Sequence, residues 1–209
     1  MADDSCGEIL MEYTIIAGVN GAGKSTLFNS DYLILPKNSV RINSDELIQK
    51  NYNNQWQDIN IQIAAGKQMV KLIQECITNK KSFNQETTLS GRNIIRTVLN
   101  SKEQGYHISL HYVGLTNSDL AIQRVQERIK KGGHGVDEDI IRSRYVTSLK
   151  NLTEILPLCD TVNIYDNSEK INGILSVERK ELIYIRDNIP SYIEDIINEY
   201  IQSQSVKKP

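Results

Sequence analysis

The sequence predicts one α/β domain over residues 1–209, with a five-stranded, mostly parallel sheet covered by helices on both faces. Three observations predict it. Short apolar runs rich in β-branched residues alternate with stretches of helical period, the intervals between runs are long enough for crossover helices, and the first run ends in the glycine-rich GVNGAGKST. Strands alternating with helices in this way build parallel sheets, whose working residues gather at the strands' carboxyl ends. A chain of 209 residues suits a single domain with a real core.

The first strand is Tyr13–Ala17, and a helix opens within GKST. Val40–Ile42 is a second short strand, followed by turn and N-cap chemistry at Asn43-Ser44-Asp45. From Trp56 to Ile77, the positions Ile59, Ile63, Gly66, Val70, Ile73 and Ile77 recur at the spacing of one helical face, which predicts a long helix buried along that stripe. Ser82–Thr87 is a third strand with Glu86 near its end. A helix carrying Ile94, Ile95, Val98 and Leu99 leads to a fourth strand, Tyr106–Leu115. Residues 117–156 form a lid and following helix: 117–131 is helical, Gly132-Gly133-His134-Gly135 breaks the pattern, and Val136–Leu156 resumes it. Thr161–Tyr165 is the fifth strand and closes on Asp166-Asn167-Ser168. Ile174–Ile185 fits a hairpin around Arg179-Lys180, and Ser191–Ile201 is a last amphipathic helix. Residues 1–11 read as an N-terminal extension and 203–209 as a disordered tail.

Composition narrows the function. Apolar residues make up 39% and charged residues 24%, and no stretch approaches the roughly 18 apolar residues of a membrane span, so no membrane association is expected. MADDSCGEIL lacks the basic and apolar regions of a secretory signal. The three cysteines show no metal-ligand spacing and suit a reducing compartment, so a cytoplasmic location is expected. A net charge of −2 gives no global field for nucleic acid, and no nucleic-acid partner is expected.

Gly18-Val19-Asn20-Gly21-Ala22-Gly23-Lys24-Ser25 satisfies G-x-x-x-x-G-K-[ST]. Backbone amides of such a loop wrap a phosphate at a helix N-terminus, while the lysine reaches the β- and γ-phosphates and the hydroxyl meets Mg²⁺. Gly18, Asn20, Gly21, Ala22, Gly23, Lys24, Ser25 and Thr26 are therefore the candidate nucleotide-binding residues, and Ser25 is the metal candidate. Asn79-Lys80-Lys81-Ser82 stops short of the Asn-Lys-x-Asp guanine reader, which disfavours a GTPase. Leu89-Ser90-Gly91-Arg92 looks like a transporter-ATPase signature but lacks the apolar strand ending Asp-Glu. A small kinase remains. Such enzymes need an acceptor-activating carboxylate, cations on the phosphoryl oxygens and closure against water. Asp45 can be the general base, hold a metal-bound water, or merely cap a helix. Arg124, Arg128, Arg142 and Arg144 flank the Gly132–Gly135 break as a lid would.

AGVNGAGKST, RINSDEL, ETTLSGR, RVQERIKKGGHGVDEDIIRSRYVTSLKNL and YDNS, in that order, resemble the zeta-toxin-like P-loop kinases, especially the branch often labelled predicted ABC-type ATPase. The resemblance spans residues 17 to 168. It implies a nucleotide-monophosphate-kinase-like fold and ATP- and Mg²⁺-dependent phosphorylation of a UDP-amino sugar such as UDP-N-acetylglucosamine. It implies Lys24, Asp45, Arg128 and Arg142 as catalytic residues, with Arg124 and Arg144 as rivals for the arginine role. Asp45, Glu86, Thr88 and Arg92 would meet the acceptor, and Arg124, Asn167 and Ser168 would lie by the nucleotide. By the same analogy an antitoxin protein is a possible partner. The toxins carry a different, glycine-containing sequence after the glutamate, where this chain has Thr87-Thr88-Leu89-Ser90-Gly91, so the acceptor stays open between a sugar nucleotide and another small molecule or nucleotide. A non-catalytic ATP-binding module is the remaining alternative. Trp56 fits either a packing residue or an aromatic stacked on a base.

Overall fold

The structure, a computed structural model, describes residues 11–205. Its strands are β1 (Glu12–Ala17), β2 (Val40–Ile42), β3 (Phe83–Thr87), β4 (His107–Gly114), β5 (Thr161–Asp166), β6 (Asn172–Glu178) and β7 (Glu181–Ile185). Its helices are α1 (Lys24–Phe28), α2 (Ser44–Tyr52), α3 (Ile59–Thr78), α4 (Asn93–Glu103), α5 (Ser118–Lys130), α6 (Glu138–Ile155) and α7 (Ser191–Ser205). All the strands join one sheet in the order β2-β3-β1-β4-β5-β6-β7. The first five run parallel, and β6 and β7 are antiparallel.

The sheet thus has seven strands rather than five, because the Ile174–Ile185 hairpin joins it. Arg179 and Lys180 both adopt positive φ, 49° and 66°, the two-residue turn whose twist matches the strands it connects. Ile174, Leu175 and Val177 are buried against the core, which fixes β6 to the edge of β5.

β1 is central, and Tyr13, Ile15, Ile16 and Ala17 are fully buried, as expected for a parallel strand covered on both faces. One core layer packs Ile15, Phe83, Ile108 and Leu110 against α3, α4 and α7, and Tyr13 stacks on Phe83 at 4.3 Å. The other packs Ile16 and Val113 against Leu27, Ala121, Ile122, Val125 and Ile141. Helix α6 serves both layers, since its Leu152 and Ile155 belong to the first.

Two expectations change. The apolar stripe of α3 is buried only at its end: Ile59, Ile63 and Val70 are at least half exposed, while Ala65, Ile73, Cys76 and Ile77 are buried. The first half of α3 stands over the cleft beside α2 instead of over the sheet, so Gln62 and Met69 turn inward there. The expected tail is helical through Ser205, and residues 206–209, like 1–10, lie outside the described residues. Among the described residues no helix is long and apolar enough to cross a membrane.

Candidate active site

The loop after β1 is built from backbone geometry that side chains would obstruct. Gly18 has φ 142° and Gly23 has φ 94°. A Cβ on Gly18 would strike the Val113 carbonyl, and one on Gly23 would strike the Asn167 amide. Asn167 sits that close because its Nδ2 donates to the Ala22 carbonyl at 2.9 Å, tying the end of β5 to the phosphate loop. The loop feeds α1, whose first residue, Lys24, is buried, with Nζ donating to Val19 O at 3.2 Å. Burial pushes the Lys24 ammonium below its ordinary pKa; Glu86 and Asp45 oppose that shift, and Arg128 and Arg144 add to it. Ser25 and Thr26 are exposed on the same turn.

β3 lies beside β1 in a register that sets Glu86 against Ile16, so Glu86 emerges next to the phosphate loop. Its Oε2 accepts from Arg41 Nη2 at 2.5 Å and Asn43 Nδ2 at 3.0 Å, and its Oε1 accepts from Ser25 Oγ at 3.3 Å. Arg41 also lies over the Phe28 ring at 3.8 Å. Asp45 stands apart. Asn43 is the N-cap of α2, with Oδ1 accepting from Asp45 N at 2.8 Å, and among the described residues the Asp45 carboxylate takes only a long hydrogen bond from Ser44 Oγ at 3.5 Å. The bland reading of Asp45 as a cap is thereby removed.

The arginines divide. Arg128 leaves Nε and Nη2 buried without a hydrogen-bond partner among the described residues. Its stem is held by the glycine loop: Gly133 N donates to Arg128 O and Gly132 N to Ile129 O, both at 2.9 Å, with Gly132 at φ 82°. These are the two bonds of a Schellman cap. A Cβ on Gly133 would come within 2.6 Å of Arg128 Cγ, so the loop packs closely against the arginine's stem. Arg144 Nη1 donates to Asn20 Oδ1 at 3.0 Å, and burial lowers the Arg144 pKa against the pull of Asp45. Arg142, expected inside, turns out to solvent, where Nη1 meets Asp119 Oδ1 at 2.6 Å and Ser118 Oγ at 3.3 Å. Residues two apart on a helix point about 200° apart, so only one of the pair can face the loop.

Asn20, Lys24, Asp45, Glu86, Thr88, His134 and Arg144 line one cavity of about 260 Å³, together with Gln62, Met69 and Val136. Thr88 Oγ1 pairs with Ser90 Oγ at 2.8 Å. Arg92 is exposed at the start of α4 and does not reach the cavity. On the far side of the loop, Arg124 Nη2 donates to Ser168 O at 3.0 Å, and Ser168 Oγ donates to Asp166 Oδ1 at 2.6 Å. Sequence reasoning missed Arg41 and Asn43 as holders of Glu86. Arg41 on β2 and Asn43 two residues further on share a face of the extended chain, but the β3 residue they meet is set by strand pairing.

Ser25 Oγ beside the Glu86 carboxylate suits Mg²⁺, which takes oxygen ligands and leaves most positions to water and phosphate. No cluster of three or more metal-ligating side chains occurs among the described residues.

A phosphate loop at the central strand, an arginine-bearing helical lid and a carboxylate facing both define a P-loop kinase fold. The zeta toxin family model matches residues 12–181, and the chain belongs to that family. An uncharacterized protein of Haemophilus influenzae is 36% identical over 132 residues, covering 61% of this chain and 88% of that protein. A chain from the PezAT chromosomal toxin-antitoxin system of Streptococcus pneumoniae is 15% identical, with a TM-score of 0.60 over 94% of this chain and 85% of its own. A chain of the AvrRxo1-ORF1:-ORF2 structure with ATP is 12% identical, with a TM-score of 0.65 over 92% and 64%. The family supports an ATP-dependent, kinase-like or toxin–antitoxin function.

Proposed function

We propose that this chain transfers the γ-phosphoryl group of ATP to a hydroxyl of a UDP-amino sugar such as UDP-N-acetylglucosamine, in the cytoplasm and under the control of an antitoxin protein. The observation that carries the kinase reading is one cavity in which the free Asp45 carboxylate, Lys24 and Arg144 face each other across the phosphate loop.

The loop amides and Lys24 hold the triphosphate, with Arg124, Asn167 and Ser168 beside its nucleoside end. Ser25 and Glu86 would hold Mg²⁺, which neutralises phosphate charge when bound. Arg41 and Asn43 keep Glu86 in place for that task. The acceptor hydroxyl enters between Thr88 and Asp45, and Asp45 takes its proton as the oxygen bonds to phosphorus. Arg128 and Arg144 meet the equatorial oxygens as the bond to the leaving ADP lengthens. Helices α5 and α6 exclude water, which would otherwise compete as acceptor.

The test is ADP release by purified protein with ATP and Mg²⁺, with and without UDP-N-acetylglucosamine, against Lys24→Ala. Stimulation by the sugar nucleotide that vanishes in the variant is the expected result, and Asp45→Asn should lose at least ~10²-fold in turnover while keeping ATP affinity. Equal ADP release with and without the sugar nucleotide would refute the acceptor assignment.

A further inference from the structure

Helix α7 lies beyond the stretch that matches the family model, which ends at residue 181. The core holds it in place through Ile193, Ile197 and Tyr200. Its Tyr192 reaches further. The hydroxyl donates to Asp166 Oδ1 at 3.2 Å, at the carboxyl ends of β4 and β5. Space for it exists because β4 ends in glycine: a Cβ on Gly114 would stand 2.3 Å from the hydroxyl oxygen. Burial, with Asp166 beside it, raises the Tyr192 pKa, so the hydroxyl keeps the proton it donates.

Asp166 is the last residue of β5, and the same Oδ1 also accepts from Ser168 N at 3.2 Å and Ser168 Oγ at 2.6 Å. A carboxylate that takes the amide two residues on closes a turn around the residue between them. That residue is Asn167. Its backbone N donates to Gly114 O at 3.0 Å, and its Nδ2 donates to Ala22 O at 2.9 Å. Of the three donors to Asp166 Oδ1 among the described residues, Tyr192 alone comes from outside the turn. A continuous chain of contacts therefore runs from α7 through Asp166 and Asn167 to the phosphate loop. Ala22 precedes Gly23 and Lys24, where the loop enters α1, so a shift of Asn167 would displace the amides that meet phosphate.

We propose that Tyr192 is a positioning residue for the nucleotide, acting through Asp166 and Asn167 to hold the phosphate loop in the geometry that accepts ATP. The inference rests on the ATP reading of the loop and extends it to the C-terminal helix. A hydrogen bond to a charged group is worth roughly ten- to a hundred-fold in an equilibrium, and Ser168 preserves part of the turn without it. In calorimetric titration of the full chain with ATP and Mg²⁺, Tyr192→Phe should therefore raise the dissociation constant about three- to ten-fold, through lost preorganisation. Because the effect runs through Asn167, adding Tyr192→Phe to Asn167→Ala should cost less than about two-fold more. Ile197→Val thins the buried face of the same helix; it should lower the melting temperature of the ligand-free protein and leave ATP binding within about two-fold of wild type. Unchanged ATP binding by Tyr192→Phe, an equal loss in Ile197→Val, or full additivity with Asn167→Ala would overturn the positioning role and leave the ATP reading standing. No saturable ATP binding by the wild type would remove both.

Discussion

Replacing Arg128 with methionine should make the ligand-free protein more stable while removing its activity. The wild-type guanidinium leaves Nε and Nη2 buried without partners, and each unmade hydrogen bond costs about 1–3 kcal/mol. Methionine keeps the stem that packs under Gly133 and deletes the charge and both donors. Replacing unsatisfied buried charge by an apolar side chain of similar volume is often stabilising. The net is on the order of 1–3 kcal/mol, or roughly 2–12 °C in melting temperature for a chain of this size. Thermal unfolding of ligand-free wild type and Arg128→Met in phosphate-free buffer measures it. Adding ATP and Mg²⁺ should narrow the gap, because only the wild type gains an anion for its guanidinium. Turnover should fall by about 10³-fold or more, as it does when a transition-state arginine is removed. A variant that melts below the wild type would refute the reasoning, since the guanidinium would then be satisfied before any phosphate arrives.

Arg41→Met should act in the opposite direction. It strips Glu86 of its 2.5 Å partner where the two side chains are only 17% and 11% exposed, and by the cost of breaking a buried pair the loss is about 2–4 kcal/mol; a melting point within about 2 °C of wild type would contradict it. Arg142→Ala removes a surface pair with Asp119 whose side chains are 49% and 73% exposed. Its turnover should stay within about three-fold of wild type, whereas Arg144→Ala should lose at least ~10²-fold; initial rates on both variants decide which arginine works. His111 is held by burial at a pKa of about 4 against an ordinary 6.5. The unfolded chain therefore binds a proton between those values that the fold does not, and stability is lost as pH falls from about 6.5 toward 4, by ~1.4 kcal/mol per pH unit. His111→Gln should flatten that part of a melting-temperature profile, and an unchanged slope would place the acid sensitivity elsewhere.

The phosphate loop was legible because its chemistry is local. Gly18 to Ser25 are contiguous, and the positive φ angles at Gly18, Gly21 and Gly23 are what glycine at those positions announces. The helices 117–131 and 136–156 were legible from their period. Features set by pairing across the sheet were not. Arg41 meets Glu86 only because β2 lies beside β3 with Arg41 opposite Asn84, a register that no spacing within either segment encodes. Choosing Arg144 over Arg142 required the helix's rotation about its axis, which Ile141 and Leu152 fix by entering the core. On α3 the sequence's apolar stripe and the buried stripe diverge, because the first half of the helix faces a cleft lined by polar groups.

The two carboxylates of the cleft show why composition alone could not assign roles. Glu86 stands at the end of β3 and Asp45 just beyond β2, and both oppose the burial that lowers the Lys24 pKa. A general base needs a free lone pair directed at the acceptor. Both oxygens of Glu86 are engaged, by Arg41 and Asn43 on one and Ser25 on the other, while Asn43 takes over the capping of α2 and leaves the Asp45 side chain unclaimed. In a loose phosphoryl-transfer transition state, the bond to the acceptor forms late and most charge resides on the transferred group. Fixed cations around that group then matter more than the strength of the base. On the proposed reading Lys24 and Arg144 in the cavity, with Arg128 near Lys24, outnumber the one carboxylate left free among the described residues, so loss of Arg128 should cost more turnover than loss of Asp45.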